Sequence, residues 1–339
     1  MIGFDDFSRQ GSEISGLRRQ VSDHSLIHAL LITGEPGTGK RTLAMLIAAA
    51  LTCKSDSIVP CGKCNDCLLA AAGEHPDITV IQKGIPLSSG TAKGRTTIPV
   101  DDIREMITLC SRYAFHGGNR VVVIPDSECM TIQAQNSLLK ILEEPPQNTY
   151  FLLTSSHSDQ LLTTIRSRCR TVKLIPWDTS YIQEILIRSG VDPVTAAKSA
   201  LFSDGSIGKA MKLSSDDSYW KTCEEVMHMF FRNRKRSEII TLSAQWKDRK
   251  ADADTLFDIL ENCIHHLLQY RLNHDPSSFP AEYPPEWQRF AESAAHDRFV
   301  FLSDLVHDAR KKIAFNVNFQ AVIEQLLLVF IGESDLWVK

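Results

Sequence analysis

Runs of consecutive apolar residues recur along the first half of the chain. They are Ala29-Leu30-Leu31-Ile32, Val121-Val122-Val123-Ile124 and the middle of Thr149-Tyr150-Phe151-Leu152-Leu153-Thr154-Ser155, with Ile78-Thr79-Val80-Ile81 a more mixed fourth. A strand without polar alternation is one covered on both faces, as in a parallel sheet clad by helices. Between the runs the apolar positions fall at helical spacing. Ile14, Leu17 and Val21 mark a helix over 10–22, a second helix covers 41–52, and a short one 68–72. A further helix opens at Val100 (Ile103, Met106, Ile107, Cys110), where Asp101 and Asp102 suit the positive end of the helix dipole. An amphipathic segment from 134 carries Leu138, Leu139 and Leu142 and is stopped by Pro145-Pro146. Val172-Lys173-Leu174-Ile175-Pro176 reads as the last strand. Strand and helix alternating in this order predict an α/β domain built on a parallel sheet over 1–176. Beyond it the strand pattern disappears. Helices are expected over 182–189, 193–202 and from 205, giving a small helical domain over 177–215. An all-α domain then covers 216–339, broken by Pro276, Pro280, Pro284 and Pro285. Its last helix, 318–331, carries Val322, Leu326, Leu327, Val329 and Phe330, a stripe suited to a core or to a partner chain.

The first run leads into Gly34-Glu35-Pro36-Gly37-Thr38-Gly39-Lys40-Arg41-Thr42, and a helix follows. Strand, glycine-rich turn and helix form the context of a phosphate-binding loop. Gly34, Gly37 and Gly39 let backbone N–H groups converge on phosphate, Lys40 adds charge, and the helix N-terminus adds its dipole. The position after the lysine calls for a Ser or Thr hydroxyl to hold Mg²⁺, and Arg41 stands there, with Thr42 one residue late. Asp126, at the end of the run 121–124, fits the second metal-holding position. The catalytic carboxylate expected next is replaced by Ser127, and Glu128 is one step too far along. Ser155 ends the run 149–155 and completes the set of candidate nucleotide contacts. The loop is equipped for phosphate and poorly equipped for metal-assisted hydrolysis, so Lys40 is either a phosphate ligand or the solvated lysine of a vestigial loop.

Nine cysteines would suggest disulfides only if they were spread; four cluster instead, as Cys53 followed by Cys61-x-x-Cys64-x-x-Cys67. That spacing predicts a structural zinc site in a reducing compartment. Cys53, furthest from the others, is the least certain ligand. Cys110, Cys129, Cys169, Cys223 and Cys263 read as small buried apolar residues. The formal charge of −4 argues against a free-standing tight DNA binder. No apolar run reaches the ~18 residues of a membrane span, and the acidic start (Met1 to Asp6) has no signal-peptide core, so the cytoplasm is expected. The polar stretch 82–97 reads as a surface loop whose Lys83, Lys93 and Arg95 are solvated or meet a phosphate backbone.

The order of motifs resembles a known family. His28-Ala29-Leu30-Leu31 precedes the loop, the four-cysteine insert follows its helix, and His75-Pro76-Asp77 and Ile103-Arg104 come next. The box from Asn136 to Lys140, with Leu142-Glu143-Glu144-Pro145-Pro146, leads to Thr164-Ile165-Arg166-Ser167-Arg168-Cys169. The pattern over about 25–215 is similar to the bacterial clamp-loader branch of the AAA+ ATPases, subunits of DNA polymerase III. Asn316-Val317-Asn318 is similar to that family's C-terminal collar. The resemblance implies an AAA+ P-loop domain with a zinc insert (53–67), a helical lid and an oligomerising collar. Gamma/tau motor subunits of this branch hydrolyse ATP. A second subunit type does not, and offers the arginine of its Ser-Arg-Cys motif to its neighbour's ATP. Arg41, Ser127 and Gly208 (where motors carry a γ-phosphate-sensing arginine) all depart from the motor pattern. The resemblance therefore implies the second type, with weak or absent ATP/ADP binding and Arg168 as a finger acting in trans. Arg166 is the competing finger, and an active gamma/tau-type motor is the alternative reading. The implied partners are gamma/tau motors and a delta subunit, acting on the sliding clamp and primed DNA near the nucleoid.

Overall fold

In the computed structural model, which describes residues 3–23, 25–55, 59–87, 96–111, 118–230, 236–273, 283 and 285–337, the apolar runs pair into one sheet. Among the described residues it has five parallel strands, β1 (Ala29–Thr33), β2 (Ile78–Val80), β3 (Arg120–Ile124), β4 (Thr149–Ser155) and β5 (Arg170–Lys173), in the order β2-β3-β4-β1-β5. Both faces of the sheet are covered, which is why the central runs show no alternation. Ala29, Leu31, Val122, Ile124, Phe151 and Leu153 pack on one side against α4 (Val100–Cys110), α5 (Ile132–Glu143) and α6 (Thr163–Arg166) through Ile103, Met106, Leu138, Ile141 and Ile165. The intervening Leu30, Ile32, Val121, Val123 and Leu152 are equally buried. On that side lies α2 (Lys40–Thr52), with Leu43, Ala44 and Ile47 buried, and α1 (Ser12–Ser22) packs on α2. Each fully buried aliphatic side chain of this kind contributes about 1.5–3 kcal/mol.

Among the boundaries that differ from the sequence reading, three do so for local reasons that can be named. α5 starts at Ile132, because Thr131 caps it by accepting the Ala134 N–H at 3.2 Å; Ile132 itself is exposed and so does not register as an apolar-periodic position. β5 begins at Arg170, two residues before its apolar centre, since its partner Leu30–Thr33 fixes the register and its polar residues face outward. The chain over 174–176 has left the sheet, with Leu174 N–H still bonded to Thr33 O at 2.8 Å. In the stretch 82–97, Gln82 and Ile85 bridge across a tight turn, while Lys93 and Arg95 lie outside the described residues.

The chain divides into two compact units, Met1–Gly190 with Gly205–Lys209, and Val191–Asp204 with Ala210–Lys339. The first holds the sheet, α3 (Asn65–Ala72), α7 (Thr179–Arg188) and the first turn of α9 (Ile207–Leu213). The second is helical and includes α8 (Pro193–Leu201), α10 (Asp217–Phe230), α11 (Ile239–Gln245), α12 (Ala253–Asn273), α13 (Pro285–Ser293), α14 (His296–Ala314) and α15 (Phe319–Trp337). Val322, Leu326, Leu327 and Phe330 of α15 lie in the second unit's own core beside Val226, Leu260, Trp287 and Phe299. Pro276, Pro280 and Pro284 lie outside the described residues, and Pro285 opens α13. Among the described residues no helix is long and apolar enough to cross a membrane.

Candidate functional site

The carboxyl ends of β1, β3 and β4 lie side by side, the edge at which an open parallel sheet binds ligands. They bring the loop after β1, Asp126 and Ser155 to that one edge. Gly34 opens the loop at φ 148°, and a Cβ there would stand 2.7 Å from the Leu174 carbonyl oxygen, so only glycine fits. Gly39 caps α2 at φ 97°. Lys40 is buried, and its ammonium donates to the Gly34 and Glu35 carbonyls at 2.8 Å each. Two of its three N–H donors are thus committed to its own loop. Burial lowers its pKa, against the carboxylates of Glu128, Asp126 and Glu35, which raise it. The loop is held from outside as well. Trp177 Nε1 donates to Thr38 O at 2.8 Å, and the Gly208 N–H to Gly37 O at 3.0 Å. Gly208 therefore meets the loop through its backbone. Arg41 and Thr42 are both exposed at the start of α2.

The acidic strand end is equally committed. Asp126 sits at φ 49°, and its carboxylate lies 3.6 Å from the ammonium of Lys83. A lysine charge thus stands beside the carboxylate expected from the sequence to be metal-holding. Ser127 is fully buried and donates to Thr154 O at 2.9 Å, pointing into the fold. Glu128 accepts the Ser156 N–H at 3.0 Å, and Ser155 Oγ accepts the His157 N–H at 3.1 Å. Lys83, expected to be solvated or to meet a phosphate backbone, pairs with Asp126 instead, and Trp177 escaped sequence reasoning, since nothing local ties a loop lysine to Asp126 or a tryptophan to Thr38.

The four cysteines of the cluster converge. All four Sγ atoms lie within 4.8 Å of one another, with Cys53–Cys64 at 4.0 Å and Cys61–Cys67 at 3.9 Å. Four sulfurs around a zinc at about 2.3 Å would stand about 3.8 Å apart, whereas a disulfide would bring two of them far closer. Backbone N–H groups point at the sulfurs, from Cys61 to Cys53 (3.5 Å), Cys64 to Cys61 (3.3 Å) and Cys67 to Cys64 (3.4 Å). The N–H groups of Lys63 and Cys64 hold the Cys61 thiol down at about 6, while burial pushes Cys67 up to about 12. Bringing four thiolates together requires a cation, so the donor set fits a metal ion. The cluster is fastened to the sheet through α3. Asp66 lies 3.3 Å from His75 Nε2, His75 Nδ1 accepts the Asp77 N–H at 3.1 Å, and Asp77 lies 3.8 Å from Arg120 at the start of β3. Of the remaining cysteines, Cys129 alone is only half-buried.

Arg168 follows α6 at the surface. Its Nε donates to Glu143 Oε1 at 2.7 Å, its Nη2 pairs with the same oxygen, and its Nη1 donates to Thr164 O at 2.9 Å. Arg166 is exposed, in the last turn of α6.

The chain as a whole is similar to known proteins. A family model described as DNA polymerase III, delta subunit, matches residues 9–178, half of the chain. DNA polymerase III subunit delta' of Escherichia coli is 37% identical over 311 residues, covering 89% of this chain and 88% of its own. The chain belongs to the delta-prime family of DNA polymerase III subunits. The delta-prime subunit of Yersinia pestis is 32% identical over 92% of both chains, and that of Bacillus subtilis 25% identical over 92% of this chain and 93% of its own. A tau/gamma subunit of Haemophilus influenzae is 31% identical over 62% of this chain but only 30% of its own length. A gamma subunit of Buchnera aphidicola also matches over 90% of this chain and 89% of its own, at 25% identity, so the higher identity of the delta-prime relatives, more than their coverage, agrees with the subunit type expected from the motif order.

Proposed function

We propose that this delta-prime chain works inside a clamp-loader assembly as a subunit that does not hydrolyse ATP, and that Arg168 acts in trans on ATP held by a neighbouring gamma/tau motor. One observation carries the first half. Each group that hydrolysis would need at the loop is absent or already committed: Arg41 for the metal-holding hydroxyl, buried Ser127 for the catalytic carboxylate, and Lys40 bonded to Gly34 and Glu35. The exposure of Arg168 supports the second half. A guanidinium delivered to a γ-phosphate stabilises the developing charge and is worth about 10³–10⁵ in rate in well-studied NTPases. Nucleotide binding at Gly34, Gly37, Gly39, Lys40, Arg41, Thr42, Asp126 and Ser155 is weak or absent on this reading, and 177–215 serves as a small helical lid domain, with 216–339 joining the collar. Cys53, Cys61, Cys64 and Cys67 hold a structural zinc whose closed tetrahedron leaves no position for water. The partners are gamma/tau and delta, and the assembly acts on sliding clamp and primed DNA in the cytoplasm.

ATP hydrolysis tests this, first by the purified chain alone and then with gamma/tau, delta, clamp and primed DNA. The chain is expected to be inert alone, and the mixture to need it, with Arg168→Ala slowing the mixture. Hydrolysis by the chain alone that Lys40→Ala abolishes would make it a motor and overturn the proposal.

A further inference from the structure

A guanidinium carries five N–H donors in one plane. In Arg168 the flank formed by Nε and Nη2 is taken by Glu143 Oε1, and Nη1 reaches the Thr164 carbonyl. One N–H on each terminal nitrogen is left for another acceptor, and the plane of the group is set by its two anchors. A free arginine at the surface would spread over many rotamers and lose that side-chain entropy whenever it was fixed. Glu143 is also placed against local preference. It is the last residue of α5, where the helix dipole disfavours a negative side chain. A half-exposed ion pair adds little to stability, so the fold gains little from the contact.

We infer that Glu143 is a positioning residue for Arg168: it holds the guanidinium by one flank so that the remaining N–H pair is presented, already oriented, to a phosphate of a neighbouring subunit's nucleotide. This rests on the finger role proposed above. Preorientation acts on the transition state, so its loss lowers kcat and leaves the KM for ATP nearly unchanged.

The test uses the complete assembly and its DNA-stimulated ATPase, with Glu143→Ala, Glu143→Gln, Arg168→Ala and the double variant Glu143→Ala/Arg168→Ala. Glu143→Ala is expected to lower kcat about 10-fold with KM within about twofold. Glu143→Gln keeps an acceptor oxygen and should fall between it and the wild type. In the Arg168→Ala background, Glu143→Ala should change nothing further. A wild-type rate for Glu143→Ala beside an impaired Arg168→Ala would overturn the positioning role and leave the finger standing. A wild-type rate for Arg168→Ala would remove the finger and the positioning role together. An equal loss with and without Arg168 would assign Glu143 to structure and overturn the inference. Should Glu143→Ala fail to assemble, Glu143→Gln is judged by the same cycle.

Discussion

Two glycines sit inside helices of the first unit, and replacing each with alanine should move stability in opposite directions. Gly16 lies in α1 with no heavy atom within 4 Å of where a Cβ would stand. Alanine is favoured over glycine in a helix by about 0.8–1 kcal/mol, so Gly16→Ala should stabilise by nearly that much. Gly208 also has helical backbone, in the first turn of α9, but a Cβ there would stand 3.1 Å from Gly37 Cα and 3.4 Å from Gly37 O. The obstacle is backbone, and it is poorly placed to retreat. Gly37 accepts the Gly208 N–H, Thr38 O is held by Trp177, and Lys40 grips Gly34 and Glu35. Overpacking of this kind costs about 1–3 kcal/mol, and straining the bond to Gly37 costs up to about 1 kcal/mol more. Set against the helix gain, Gly208→Ala should destabilise, by up to about 3 kcal/mol. Urea unfolding followed by circular dichroism reads both variants. Since the chain has two units, the transition moved by Gly16→Ala identifies the relevant one. If Gly208→Ala stabilised as much as Gly16→Ala, the close packing of α9 on the loop would be refuted.

Other consequences can be measured on the isolated protein. Purified under reducing conditions, the chain should carry about one zinc ion by elemental analysis, and chelation or Cys64→Ser should lower the melting temperature; an unchanged melting curve after chelation would count against a structural metal. Lys40→Ala should destabilise by about 1–3 kcal/mol in denaturant titration, because it removes the charged donor that ties the Gly34 and Glu35 carbonyls together, whereas a lysine merely awaiting phosphate could be removed without cost. Burial works to raise the Asp6 pKa, but hydrogen bonds from Tyr181, Gly3 and Arg188 outweigh it and hold the carboxyl below its ordinary value. Its stabilisation is therefore present above the unfolded value of about 4 and is lost as pH falls through the lower folded value. Asp6→Asn should destabilise at pH ~7 by about 1–2 kcal/mol, with the gap narrowing towards pH ~3; a gap independent of pH would show that the shape of the contact matters rather than the charge.

The central sheet was legible because burial on both faces leaves uninterrupted apolar runs at 29–32, 121–124 and 150–153. The polar start of β5 was not, because its register is set by hydrogen bonds to β1, which leave no mark on side-chain pattern. The metal-ligand candidates could be read from spacing alone, since all four lie within one short segment. The fastening of that segment to β3 could not, as Asp66, His75, Asp77 and Arg120 are brought together only by the fold. The departures at Arg41, Ser127 and Gly208 were visible as wrong residue types. What replaced the missing chemistry was hidden, because Lys83 reaches Asp126, and Gly208 reaches Gly37, from distant parts of the chain. Arg168 stood out through its motif, while Glu143, 25 residues before it, offered no sign of the contact.

The sheet ends on one side in a strand of three residues, Ile78–Val80, and on the other in one of four, Arg170–Lys173. An edge strand is a template for unwanted pairing in proportion to its length, and charged side chains on it discourage a visitor further. The long apolar strands, which would be dangerous at a border, lie inside. Two copies of this chain meeting edge to edge find almost nothing to zip along. Contacts with other chains are thereby left to side chains on helices and turns, which evolution can revise one residue at a time.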